Sequence, residues 1–221
     1  MEYGKIYDSL NKDEPWNSPH NAKILNHKLP EFVCPRDTNK DDLSTSYIAI
    51  IGPGTAWRED GPVKISDLPN GSKHTIMAIE VVNSGVHWAE PRDLTVDEAL
   101  EGLITGKGLH ISTAHNNRIN ILFADGAICP LPARMPISLW KKLLAGEVKD
   151  IDNIEQQIDK SASDIVDISV YAPHAPPYEP GKWKIILGVL VWLFSVVLLF
   201  RRAINSRPKP AKIEIAKDVV G

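Results

Sequence analysis

The sequence has little of what local metal and redox motifs are made from. Only two cysteines, Cys34 and Cys129, occur in 221 residues. Neither lies in a C-x-x-C or Cys/His ligand spacing, so a disulfide-stapled mini-domain is excluded and a structural zinc site is not expected. The G-x-S-x-G elbow of α/β hydrolases is missing. Gly52-Pro53-Gly54-Thr55 lacks the Gly-Lys-Ser/Thr ending of a phosphate loop and the helix that must follow it. The opening residues, MEYGKIYDSLNKDEPW, contain no basic-then-apolar export signal. No internal repeat is visible.

The charge that is present is segregated. The formal net charge is −3. Residues 201–221 hold six Lys/Arg against Glu214 and Asp218, a local balance of +4, which leaves −7 on residues 1–200. Between the two blocks, residues 185–200 read IILGVLVWLFSVVLLF, with Ser195 the single polar side chain, and its hydroxyl can bond back within its own helix. As a helix this run spans roughly 24 Å, a little short of a ~30 Å hydrocarbon core, and Lys182, Lys184, Arg201 and Arg202 can snorkel at its ends. A transmembrane helix over 182–204 is the expectation. Arg201, Arg202, Arg207, Lys209 and Lys212 outnumber Lys182 and Lys184, so the tail, 205–221, is placed in the cytoplasm and residues 1–180 outside. Export without a signal at the start favours a segment upstream of Met1. The acidic domain argues against a nucleic-acid partner, and the basic tail suits anionic lipid headgroups.

Before the span, PHAPPYEPG (173–181) has four prolines in nine positions and reads as a semi-rigid spacer. Residues 148–181 as a whole read as a polar stalk and linker. The globular part is expected over 1–147. Ser18-Pro19 opens a helix running to about Lys28. Tyr47–Ile51 and Thr75–Val82 read as strands. Thr95-x-x-Glu98 is a capping box before the helix VDEALEGLI. Residues 119–124 (INILFA) are the strongest strand, and Asp125-Gly126 turns it into a hairpin. Pro136 opens a last helix that Gly146 ends, with Ile137, Trp140, Leu143 and Leu144 on one face. The fold class expected is α+β with an antiparallel sheet, short helices and long loops.

Three constellations invite a functional reading. His115 and Asp125 lie ten positions apart, about 33 Å if the chain between them is extended, so they cannot share a ligand unless residues 116–118 fold back. The favoured role is structural: Asp125 forms the turn and His115 packs at the base of the strand. Glu80, Asn83, His87, Trp88, Glu90 and Asp93 lie on a loop leaving a strong strand, a usual place for function. Their spacing matches no EF-hand, and surface decoration is the favoured reading. Outside the cytoplasm, Cys34 and Cys129 could close one long-loop disulfide, contributing up to about 4–5 kcal/mol on the loop-entropy model, or remain two separately buried thiols.

Five blocks, taken together, resemble one family. They are Asp13-Glu-Pro-Trp-Asn-Ser-Pro-His-Asn21, Phe32-Val-Cys-Pro-Arg-Asp37, Thr45-Ser-Tyr-Ile-Ala-Ile-Ile-Gly-Pro-Gly-Thr-Ala-Trp57, Glu80-Val-Val-Asn-Ser-Gly-Val-His-Trp-Ala-Glu-Pro-Arg-Asp-Leu94, and His115 followed after nine residues by Asp125-Gly126. The set resembles the domain-of-unknown-function family 1559, the "bacterial solute-binding-like" group abundant in planctomycete bacteria, over about residues 3–147. The resemblance implies a pseudopilin-like fold, held at the membrane and exported. It transfers no catalytic residue and implies no cofactor. Family members carry an amino-terminal prepilin-like helix; here a carboxyl-terminal span stands in its place.

The expectation is therefore a non-enzymatic, membrane-anchored envelope protein whose partners are the bilayer and other envelope or pseudopilin-like proteins. The alternative is an extracytoplasmic ligand- or metal-ion-binding module in which Glu80, His87, Glu90, His115 and Asp125 converge.

Overall fold

A computed structural model describes residues 2–37, 43–58, 63–68 and 70–169. The spacer, the expected span and the basic tail lie outside the described residues. No helix among the described residues is long and apolar enough to cross a membrane.

The chain begins with α1 (Glu2–Ser9) and α2 (Pro19–Leu25). Four elements follow: β1 (Tyr47–Ile51), β2 (Ile76–Glu80), β3 (Leu94–Thr95) and α3 (Val96–Thr105). Next come β4 (Arg118–Phe123), β5 (Ile128–Pro132), β6 (Arg134–Pro136), α4 (Ile137–Leu144) and β7 (Ile165–Asp167). Five strands form one sheet in the order β3-β1-β2-β4-β5, and β6 pairs with β7 apart from it. The α+β class holds, with one correction: the sheet is mixed. The pairs β1–β2, β2–β4 and β4–β5 are antiparallel, but β3 joins β1 in parallel through Ile50↔Leu94 and Ile51↔Thr95. A two-residue strand at the edge, leading directly into α3, is too short to announce itself by alternation.

Side-chain alternation divides the apolar residues between the two faces of this sheet. Ile48, Ile50, Ile119, Ile121 and Phe123 join the larger core with α3 and α4, where Trp140, Leu143 and Leu144 are fully buried. Ala49 and Ala78 face the other way, against Leu25, Phe32 and Trp88, with Tyr3, Ile6 and Trp16 packed on the outside. Strand β2 departs from strict alternation. Its register shifts between Ile76 and Ala78, so Ile76 and Ile79, three apart, both enter the larger core. The bulge turns the end of β2 over. Glu80 pairs with Tyr47 across the sheet and lies on the face of Ala78.

The helices obey their caps. Ser18 Oγ accepts from the Asn21 amide with Pro19 at the first helical position. At α3, Thr95 Oγ1 accepts from Glu98 N at 3.1 Å, and Glu98 Oε2 accepts from Thr95 N at 2.9 Å, a reciprocal capping box. Arg92 adds a further contact to the same carboxylate and, with these bonds, holds the Glu98 carboxyl down at about 2. Thr95→Ala is expected to lower stability by about 1 kcal/mol, read as a shift of the denaturant midpoint at unchanged slope. Gly146, with φ of +71°, closes α4 in the left-handed conformation expected of it. Gly54 (φ +84°) approaches so closely that a Cβ there would meet the Ala145 carbonyl oxygen at 2.5 Å. The Gly-Pro-Gly-Thr segment is thus a turn packed on the end of α4.

Several boundaries differ from expectation: α2 ends at Leu25, not about Lys28, and β2 ends at Glu80, not Val82. Helix α1 has no cap signal and is not among the expected elements, although Tyr3, Ile6, Tyr7 and Leu10 fall at helical spacing and Tyr3, Ile6 and Leu10 pack on the smaller cluster. The polar segment after residue 147 does not begin as a stalk: Val148, Ile151, Ile154 and Ile168 belong to the larger core, and β7 pairs with β6 through Met135↔Val166. The globular unit therefore extends at least to residue 169. Buried isoleucines spaced among Asp, Asn and Gln give too weak a period to be read as packed.

Candidate functional site

Three side chains from segments far apart in sequence meet behind the sheet. Cys34 follows a 3-10 turn at Pro30–Phe32, Glu80 ends β2, and His115 precedes β4. His115 Nε2 lies 3.3 Å from Cys34 Sγ and 3.4 Å from Glu80 Oε1. Cys34 and Glu80 are fully buried and His115 nearly so.

Each member is fixed by its backbone or its neighbours. Cys34 N donates to Ser46 Oγ at 3.0 Å, and Ser46 Oγ donates to Asp37 Oδ2 at 2.7 Å. Asp37 also accepts from Asn83 N, so one carboxylate ties the Cys34 loop to the start of β1 and to the loop beyond β2. Glu80 Oε2 accepts from Thr113 Oγ1 at 2.9 Å and from Asn120 N at 3.3 Å. Thr113 Oγ1 in turn accepts from His115 N. Glu80 Oε1 makes no hydrogen bond of good geometry. The reason lies in valence: a neutral imidazole nitrogen either donates once or accepts once, and here Nε2 is shared between a thiol and a carboxyl.

Burial sets the protonation states. It raises the Glu80 carboxyl to about 7 against the opposing pull of Thr113, Asn120 and Cys34. It drives the Cys34 thiol well above the usual thiol range, with the Glu80 charge acting in the same sense. Burial lowers His115 to about 4, and the Arg36 guanidinium adds to this. Near neutral pH the cluster is a thiol, a neutral imidazole and a carboxyl poised at its midpoint. The His115–Glu80 contact is therefore a polar contact around an uncharged imidazole and not an ion pair. A protonated, sealed thiol is a poor nucleophile, and a histidine at about 4 is a weak base at neutral pH.

Of the five residues expected to converge, two do. Glu80 and His115 meet; the surface-decoration reading fails at Glu80, which is buried. His87 stands apart, its ring 4.8 Å from Trp16 and 5.6 Å from Trp88, with Ala89 N donating to its Nδ1. Glu90 is half-buried and accepts from His87 N, closing its own loop. Asp125 is exposed and accepts from Ala127 N in the β4–β5 turn. In the His-nine-residues-Asp-Gly signature, Asp125 and Gly126 form the hairpin while His115 is buried at the strand's other end, the structural division expected. The disulfide option is corrected: Cys34 and Cys129 are both free thiols, Cys34 against His115 and Cys129 on β5 opposite Ile121.

Cys34 is the site residue that sequence reasoning misses. It figures there only as half of a pair with Cys129 or as a separately buried thiol, because nothing local joins position 34 to 80 or 115. A signal does exist: four blocks of the resemblance, Phe32–Asp37, Thr45–Trp57, Glu80–Leu94 and His115, meet here through Cys34, Ser46, Glu80 and His115. Among the described residues, Cys34, Glu80 and His115 form the one group of three such side chains with ligand atoms close enough to share a metal ion, all within 4.8 Å of one another. No protein-family model matches the chain, and comparison with curated proteins and with solved structures finds no similar protein or fold.

Proposed function

We propose that this chain is a single-span membrane protein of the cell envelope whose α+β domain serves assembly or protein interaction, in the manner of the pseudopilin-like family that its five blocks resemble. The observation that carries the reading is the uncharged run at 185–200 with its cationic flanks, which sets an acidic folded unit on one side of a bilayer and a +4 tail on the other. Proline in the spacer keeps the folded unit off the headgroups. What supports a non-enzymatic reading is that the cluster is sealed inside the fold, with its thiol protonated and its imidazole weakly basic.

Protease added to intact spheroplasts expressing the full chain tests the topology. The expected result is loss of an epitope placed at the amino terminus, with a tail epitope retained on a membrane-bound fragment that resists alkaline extraction. A fully protected amino-terminal epitope overturns the orientation. Release of the chain by alkali overturns the anchor.

A further inference from the structure

We propose that Cys34, Glu80 and His115 form a buried site for a borderline-soft divalent cation of the zinc class. The inference does not depend on the anchoring and assembly reading above.

Geometry is the first argument. In a tetrahedral zinc site the metal lies about 2.3 Å from sulfur and about 2.0–2.1 Å from imidazole nitrogen and carboxylate oxygen. Tetrahedral angles then place S···N near roughly 3.6 Å and N···O near roughly 3.3 Å. The separations here are 3.3 Å for Cys34 Sγ to His115 Nε2 and 3.4 Å for His115 Nε2 to Glu80 Oε1. These two separations match within a few tenths of an ångström, and all three ligand atoms lie within 4.8 Å of one another.

Valence is the second. The Glu80 oxygen that faces the cluster makes no hydrogen bond of good geometry, with only the Cys34 thiol and the His115 ring beside it, although its residue is fully buried. Its sister oxygen is held by Thr113 and Asn120, which orients the carboxylate as an outer shell does for a metal ligand. A buried carboxylate oxygen so poorly paired is costly when charged, and a cation facing it offsets that cost.

Charge is the third. Thiolate, carboxylate and neutral imidazole carry two negative charges together, and a divalent cation cancels them inside a low-dielectric setting. Binding displaces the thiol proton of Cys34 and whatever proton Glu80 holds, both released to solvent. The thiolate selects against magnesium and calcium, which prefer oxygen alone. Three protein ligands leave the fourth tetrahedral position to a water. Cysteine and histidine spacing does not suggest this site because its ligands come from three segments, 46 and 35 residues apart.

The test uses the full chain in detergent, stripped with a chelator, with zinc or cobalt(II) as the sole added metal. Because the three groups are sealed, the metal is offered both to the folded chain and during refolding. The expected result is one ion bound per chain, proton release on binding, a raised melting temperature, and with cobalt the strong ligand-field bands of a tetrahedral centre plus thiolate-to-cobalt charge transfer. Cys34→Ser and His115→Gln should each weaken zinc binding by more than the roughly 10–100-fold typical of losing an outer-shell partner. Cys129→Ser should leave the cobalt spectrum intact, which assigns the thiolate to Cys34 even if Cys34→Ser fails to fold. Absence of stoichiometric metal after refolding, an octahedral cobalt spectrum without charge transfer, or loss of the band in Cys129→Ser overturns the site.

Discussion

In the chelated chain, Glu80→Gln is expected to gain stability relative to the parent as pH rises from 4.5 to 7, by on the order of 3 kcal/mol in total. The sign follows from the proton count. The Glu80 carboxyl ionises near 4.5 when unfolded and near 7 when folded. Between those values the folded chain keeps a proton that the unfolded chain has released, so each unit of rising pH costs the parent about 1.4 kcal/mol. Glutamine removes that cost and can keep the Thr113 and Asn120 bonds through its amide oxygen. His115 runs the opposite way. Its imidazole titrates near 6.5 unfolded and near 4 folded, so the folded chain is penalised as pH falls through that window. Between 4.5 and 6.5 the two slopes oppose each other and nearly cancel, which hides both in the parent. His115→Gln should therefore lose stability relative to the parent as pH rises from 4 to 6.5. Denaturant melts across this range measure both differences. Two profiles parallel to the parent's would mean that neither group is desolvated as the fold requires.

Trp140→Ala should cost about 3–5 kcal/mol, the loss of a large buried aromatic with incomplete collapse of the cavity. Trp140 is fully buried on α4 among the residues that α3, α4 and the sheet share. Its Nε1 finds no hydrogen-bond partner, so the indole carries a desolvation penalty that a phenyl ring lacks. Trp140→Phe is accordingly expected to cost less than about 1.5 kcal/mol, the recovered N–H term offsetting much of the lost volume. Equal damage from alanine and phenylalanine would show that the indole nitrogen is satisfied in solution, for instance by an internal water.

These two expectations differ in how far the sequence alone reaches. Trp140 is legible as core from spacing alone, since Ile137, Trp140, Leu143 and Leu144 repeat at helical intervals behind Pro136 and ahead of Gly146. The capping box at Thr95 and Glu98, the Ser18-Pro19 helix start and the Asp125-Gly126 hairpin are legible for the same reason. Each is a contact between residues within a turn or two of one another, and its chemistry is written in adjacent letters. Strand β1 falls on its expected bounds because a short β-branched run between turn residues leaves few alternatives.

The cluster of Cys34, Glu80 and His115 is decided elsewhere. Glu80 falls inside the Thr75–Val82 strand at the edge of a polar loop, and strict alternation from Ile76 would place it in the larger core. The bulge between Ile76 and Ala78 reverses that, and a bulge is a property of two paired strands, invisible in either one. Cys34 reaches the same spot because Ser46 and Asp37 draw its loop onto the start of β1. The packed segment at 148–169 escapes sequence reading for a related reason: its isoleucines join the larger core, with β7 paired to β6, and show no period of their own. Local propensity and capping set the elements, and the sequence alone determined those. Pairing register and long-range packing, which bring together groups whose positions carry no common period, determined the site.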